Sequence, residues 1–138
     1  MTINYKSFPV GPLQCNCTII GNSSTGKGYL IDPGGDAERI LETIDSMNLS
    51  IEAIYHTHAH FDHFLASAEI KEKTGAPIFL NESDRFLWDT LEMQCSYFNI
   101  DFKPTPPPDF NIEDQQDLTH CSGGCIHTPG HTPGSVSF

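Results

Sequence analysis

Four of the chain's seven histidines crowd into one short stretch, His56-Thr57-His58-Ala59-His60-Phe61-Asp62-His63, directly behind the apolar run Ile51-Glu52-Ala53-Ile54-Tyr55. That run has the length and character of a buried strand, and Phe64 to Lys73 reads as a helix stopped by Gly75 and Pro77. The histidines therefore sit where a buried strand gives way to a helix. Alternate residues of extended backbone project to one side, so His58 and His60 can aim imidazoles at a common point, where a metal ion needs nitrogens at ~2.0–2.1 Å. Asp62 and His63 follow as the chain turns, aimed at a neighbouring position. Two adjacent ions are geometrically compatible with this spacing, and a metal pair ~3.5–4 Å apart is a device for hydrolysing esters, thioesters, amides or phosphates.

A second feature is Thr128-Pro129-Gly130-His131-Thr132-Pro133-Gly134, in which two Pro-Gly pairs bracket one histidine. Proline fixes φ near −65° and glycine accepts the positive φ of a type II turn, so both flanks of His131 are expected to be rigid turns. His131 would complete a three-histidine set with His58 and His60, leaving a fourth position for water or substrate, as in catalytic zinc sites.

The rest of the chain alternates strand and helix signals, which implies α/β layers. Strands are expected at Ile3 to Pro9, Thr18 to Gly21, Tyr29 to Asp32 and Ile78 to Leu80. Asp36 is placed to cap a helix carrying Ile40, Leu41, Ile44 and Met47 on one face. Glu82 to about Gln94 reads as a helix with Phe86, Leu87, Leu91 and Met93 turned inward. Lys103-Pro104-Thr105-Pro106-Pro107-Pro108 is an extended surface connector, since proline has no N–H to donate. Asp117 to Thr119 and Cys125 to His127 are expected to pair across Ser122-Gly123-Gly124, and Ser135 to Phe138 reads as a last strand.

Composition narrows the function classes. With 138 residues the chain suits one domain. Seven Lys and Arg against 18 Asp and Glu leave a net charge of −11. The few cations are scattered, which disfavours nucleic acid as a partner. Apolar stretches are far shorter than the ~20 residues needed to span a bilayer. The first residues lack the basic start and apolar core of a secretory signal, so a cytoplasmic location is expected. Five cysteines, an odd number, read as reduced thiols rather than a disulfide frame.

With His58-x-His60-x-Asp62-His63 behind a buried strand and His131 inside its Pro-Gly segment, the sequence resembles the metallo-β-lactamase superfamily, and within it the glyoxalase II-like branch. Pro12-Leu13-Gln14 with Asn16, and Ile31-Asp32-Pro33-Gly34-Gly35, extend the resemblance along nearly the whole chain. It implies an αββα sandwich with the metal site at one edge of the sheets. It also implies that residues 1–138 form a single hydrolase domain, truncated at its C-terminal side. Two further ligands of the family, a bridging aspartate and a last histidine, would fall beyond Phe138. His58, His60 and His131 would bind the first metal, and Asp62 and His63 the second. Asp62 would also orient the nucleophile. Two zinc ions are implied, with iron or manganese as alternatives.

The resemblance implies hydrolysis of a thioester such as an S-acylglutathione, with a metal-bound hydroxide attacking the acyl carbon. A thiol of pKa ~8.5 leaves without a dedicated general acid. Competing readings are a persulfide dioxygenase with a single iron, a nuclease disfavoured by the charge, and a non-catalytic metal-binding domain. His56 is expected to pack or support rather than ligate. Cys15-x-Cys17 and Cys121-x-x-x-Cys125 lack the spacing of a second zinc site. Trp88, Phe86 and Phe98 read as packing residues.

Overall fold

The computed structural model describes residues 2–138. A long hairpin opens the fold: β1 (Ile3–Val10) pairs antiparallel with β2 (Cys15–Asn22), which pairs antiparallel with β3 (Lys27–Ile31). From β3 onward the strands run parallel, because helices carry the chain back each time. Helix α1 (Ala37–Ser46) leads to β4 (Ser50–Tyr55), and α2 (Ser67–Thr74) leads to β5 (Ile78–Leu80). Short helices α3 (Arg85–Trp88) and α4 (Leu91–Tyr97), with the irregular proline segment, lead to β6 (Phe110–Asn111). The result is one six-stranded mixed sheet in the order β1-β2-β3-β4-β5-β6.

Each face of this sheet has its own core. One face packs against the helices through Ile19, Leu30, Ile54 and Ile78 on strands and Ile40, Ile44, Ile70 and Leu91 on helices. The other face gathers Tyr29, Ile31, Ala53 and Tyr55 against Ile112, Leu118, Cys121, Cys125 and Val136. Two small antiparallel pairs cover that side: β7 (Asp117–Leu118) with β8 (Gly123–Gly124), and β9 (Ile126–His127) with β10 (Val136–Ser137). These layers, helix on sheet on smaller sheets, are a mixed α/β arrangement that matches part of the expected sandwich.

A register shift makes β4 serve both cores. Gly28 pairs with Ile51 but Tyr29 pairs with Ala53, so Glu52 is an extra residue. The bulge reverses the alternation, and Ile51 and Ile54 then face the helices while Ala53 and Tyr55 face the other core.

Several local expectations need correction. Asp36 precedes α1, but in the left-handed region at φ 53° and without capping the helix through its side chain. Its carboxylate instead accepts from the Gly11 N–H at 3.1 Å, tying the first hairpin to the loop after β3. The expected helix 82–94 is broken into a 3-10 turn (Glu82–Asp84), α3 and α4. The Thr90 hydroxyl and the Gln94 amide both donate to the Leu87 carbonyl, diverting it from the helical ladder. As a result Leu91 packs inward while Phe86 and Met93 stay exposed. Segment 117–119 pairs with Gly123–Gly124, and Ile126–His127 takes β10 as partner instead. The helix after the histidines starts at Ser67 rather than Phe64, and ends as expected on Gly75 at φ 73°.

All five cysteines are free and buried. Burial, with the nearby Asp32 and Asp62 carboxylates, pushes the Cys15 thiol up to about 12, and burial raises Cys17 further. The thiolate is the reactive form, so both should resist iodoacetamide at neutral pH in the folded protein and react after denaturation. Mass spectrometry of peptides from native and denatured samples checks this. No helix among the described residues is long and apolar enough to cross a membrane.

Candidate metal centre

The histidines emerge from the C-terminal end of β4, the edge at which parallel strands present their loops. His56, first in the cluster, is fully buried and stacks on Phe64 with ring centroids 3.6 Å apart. Its ring nitrogens lie 3.1 Å from the Phe79 carbonyl and 2.7 Å from the Ser67 hydroxyl. Burial pushes its pKa down to about 4, so the ring is neutral. One nitrogen donates to the carbonyl and the other accepts from the hydroxyl. With both nitrogens engaged, His56 anchors α2 to the sheet, as the sequence suggested.

His58, His60 and His131 converge. Their ligand atoms all lie within 4.8 Å of one another. His60 Nδ1 and His131 Nε2 are 3.1 Å apart. Two nitrogens on a tetrahedral ion at ~2.0–2.1 Å would be roughly 3.3 Å apart, so this pair already has ligand spacing. Burial, then the neighbouring His131, lowers the pKa of His60. Burial, helped by His63, pushes that of His58 down to about 4. Neutral imidazoles are the form that binds metal.

His58 gives the sharpest test of whether these residues suit a metal. It is only 7% exposed, and its Nε2 is buried with no hydrogen-bond partner. Its other nitrogen is accounted for. The Thr57 hydroxyl has a single proton and donates it to Asp32 Oδ2 at 2.6 Å, so toward His58 Nδ1, at 2.9 Å, it can only accept. Nδ1 therefore carries the ring proton, and Nε2 presents a bare lone pair. An orphaned buried acceptor is costly unless something binds it. The ring lies beside two further imidazoles, those of His60 and His131, with centroids 4.8 and 4.7 Å away, and three imidazoles are the donor set of an ion with nitrogen ligands.

Asp62 and His63 lie on a 3-10 turn, Phe61–His63. His63 sits between two carboxylates, with Nδ1 2.9 Å from Asp32 Oδ2 and Nε2 3.4 Å from Asp62 Oδ2. The Nδ1 contact is an ion-pair approach off the hydrogen-bond line. Burial works to lower the pKa of His63, but contact with Asp32 and the charges of Asp32 and Asp62 outweigh it, and the net shift is upward. The ring lies 4.1 Å, centroid to centroid, from that of His58. Asp62 and His63 thus flank the three-histidine group without joining it.

His131 is fixed, but not as the Pro-Gly pattern implies. Neither Gly130 nor Gly134 has a positive φ, so these are not type II turns with left-handed glycines. The loop is held by hydrogen bonds instead: Thr128 N–H donates to the Ser135 carbonyl and Gly130 N–H to that of Thr132. Gly134 is required for close approach, since a Cβ there would lie 2.7 Å from the Asp84 backbone nitrogen.

Asp84 is the residue that sequence reasoning missed. It is fully buried and accepts three hydrogen bonds. The donors are Ala59 N–H at 3.1 Å, the Thr132 hydroxyl at 2.7 Å and Gly134 N–H at 2.7 Å. One carboxylate therefore ties the loop of His58 and His60 to the loop of His131. Asp32 and Thr57 were missed as supports too. The Asp32 carboxylate takes the Thr57 N–H at 2.8 Å as well as its hydroxyl.

A layered α/β domain whose strand ends present three converging imidazoles has the architecture of a metal-dependent hydrolase. The chain belongs to the metallo-beta-lactamase superfamily, whose sequence profile matches residues 10–138, and whose members bind divalent metal ions. It is 32% identical to the hydroxyacylglutathione hydrolase GloC of Haemophilus influenzae over 99% of its own length and 66% of the relative's, which supports the glyoxalase II-like branch. Among solved structures it is similar to TTHA1623 in a di-iron-bound form, with TM-score 0.84 and 30% identity over 95% of this chain and 64% of that one. It is also similar to the B3 metallo-beta-lactamase BLEG-1, with TM-score 0.82 and 31% identity over 96% of this chain and 65% of that one. The chain thus spans just under two thirds of the length of these proteins.

Proposed function

We propose that residues 1–138 form a single hydrolase domain that cleaves thioesters, such as S-acylglutathiones, with divalent metal ions held at the histidine centre. His58, His60 and His131 would hold one ion, and Asp62 and His63 would contribute to a second. Zinc is the ion best matched to neutral imidazole with carboxylate, and iron is the principal competitor. The observation that carries this reading is the bare, buried Nε2 of His58 in a residue whose ligand atom lies within 4.8 Å of those of His60 and His131.

A divalent ion held there supplies Lewis-acid polarisation of a carbonyl and acidification of water. The chain's own groups do the rest. Asp32, through Thr57, fixes the His58 tautomer, and its other contact orients His63. Asp84 fixes the distance between the two histidine-bearing loops. Asp62, partly exposed beside His63, would accept a hydrogen bond from the attacking nucleophile. A departing thiol needs no proton donor near neutrality, which suits a site rich in ligands and poor in acids.

Elemental analysis of purified protein, with S-acylglutathione hydrolysis measured before and after chelation, tests the reading. The expected result is stoichiometric divalent metal and thioester cleavage that chelator removes and zinc restores. Absence of stoichiometric metal would overturn the metal centre. Stoichiometric metal with no thioester cleavage would overturn the thioesterase assignment alone, and oxidation of glutathione persulfide by an iron-loaded form would replace it.

A further inference from the structure

The histidines open onto a cavity of about 540 Å³, most of whose lining the chemistry described so far does not use. That size is in the range of about 300–1,000 Å³ typical of small-molecule sites. One end carries His58, His60, Asp62, His63 and His131. The remainder is a wall of Leu13, Phe61, Leu87, Met93, Tyr97 and Phe98. Among the described residues, no lysine or arginine lines it.

The wall's one amide, that of Gln94, is spent internally. Its Oε1 accepts from Phe61 N–H at 2.9 Å and its Nε2 donates to the Leu87 carbonyl at 2.9 Å. Nor is the wall closed core. Met93 is 69% exposed and Tyr97 84% exposed, and Leu13 and Phe98 are half exposed. Phe98 is held in place by stacking on Phe61, centroids 5.0 Å apart. Large apolar side chains clustered in the open beside a reactive centre mark a ligand surface.

On this basis we infer that the wall is the acyl subsite, and that it selects thioesters whose acyl group is apolar, a medium-chain aliphatic or aryl group. The inference rests on the thioesterase reading and deepens it. A thioester of glutathione has two unlike halves. The peptide half carries carboxylates and an ammonium, which need charged partners, and this wall offers none, its one hydroxyl being that of Tyr97. The acyl half is the part it can bury. A hydroxyacyl group, of the kind in the name of the Haemophilus relative, would set a hydroxyl against a surface that is apolar apart from the Tyr97 hydroxyl and the engaged Gln94 amide.

Two measurements on the zinc-loaded chain test this. In the first, acetyl, hexanoyl and 2-hydroxyacyl thioesters of one thiol are compared by kcat/KM, and the thiol is then varied at constant acyl group. The expected result is a preference for hexanoyl over both others on the order of tenfold or more, given the gain per buried methylene. Met93→Asp should collapse the hexanoyl-to-acetyl ratio toward one. Being largely exposed, position 93 tolerates the change without loss of the fold, which circular dichroism verifies. In the second, the methionine methyl resonances are followed by NMR during titration with hexanoate and with acetate, which reads the wall independently of turnover. A shift of the Met93 methyl with hexanoate alone supports the inference even if no thioester is cleaved. Cleavage without acyl preference, or with preference following only the thiol, would overturn the inference and leave the thioesterase reading standing. A Met93 methyl that moves with neither acid would overturn it as well.

Discussion

Replacing Asp84 by alanine should cost roughly 3–5 kcal/mol of stability and also weaken metal binding 10- to 100-fold. The carboxylate is inaccessible to solvent, and two of its three donors are backbone N–H groups, of Ala59 and Gly134. Those two have no substitute acceptor, and leaving buried donors unpaired costs the desolvation penalty of each. Thr132 fares better, because its hydroxyl can turn to Ser135 Oγ at 2.8 Å. Asp84→Asn should show a smaller loss, since one oxygen still accepts while the amide meets a donor it cannot accept from. The predicted order in thermal unfolding is therefore wild type, then Asn, then Ala, with the alanine variant lowered by about 10–20 °C. Metal titration at a temperature where all three are folded separates positioning from stability. If Asp84 only supports the fold, affinity will be equal in the three proteins. If it sets the spacing of the two loops, affinity will fall in the same order.

That prediction rests on a residue the sequence does not advertise, and the reason is physical. Asp84 reaches partners at Ala59, 25 positions earlier, and at Thr132 and Gly134, 48 and 50 positions later. No local periodicity records such a bond, and an acidic residue before a helix reads as a solvated first turn. Asp32 is hidden similarly, as a polar end to a strand, although it organises His58 through Thr57. The histidines are legible because their chemistry is concentrated: imidazoles at alternate positions after a buried strand have few other uses. His131 is legible from its setting, but the mechanism inferred for that setting is incorrect. Pro-Gly pairs suggest left-handed glycines, whereas Gly134 serves to let Asp84 come close.

The fold shows the same division. Strands with strong apolar runs, such as β4, and helices with a clear face, such as α1, follow from side-chain periodicity. The two-residue strands β7 to β10 have no period to read, and their pairing is decided by tertiary contacts. One such contact is the Val136 N–H donating to the Thr57 carbonyl at 2.9 Å. It seats β10 against the loop that carries His58. The break between α3 and α4 is likewise a side-chain event at Thr90 and Gln94, and it is what leaves Met93 and Tyr97 facing outward beside the site.

Substituting His58 by leucine should separate stability from function with opposite signs. In metal-free protein the wild-type ring carries a buried nitrogen without a partner, and leucine removes that atom while keeping a similar volume. The only bond lost is the one from Nδ1 to Thr57, whose hydroxyl still has Asp32 as its acceptor. Metal-free His58→Leu should therefore be as stable as the wild type, or more so by about 1 kcal/mol. With metal the order reverses. Wild-type protein at a thousandfold excess of metal over its dissociation constant gains about 4 kcal/mol. A structural zinc site holds its ion with about 10–16 kcal/mol, so one ligand of several is worth a few hundredfold in affinity. The variant should lose most of the metal-induced rise in melting temperature, and thioester hydrolysis should fall to the chelated background. Unfolding curves of both proteins with chelator and with zinc provide the check. If leucine destabilised the metal-free form while leaving the zinc response intact, His58 would be a packing residue and the metal centre would have to be assigned elsewhere. The predicted reversal follows from a single feature: a neutral, oriented imidazole whose free nitrogen has no role in the fold until an ion meets it.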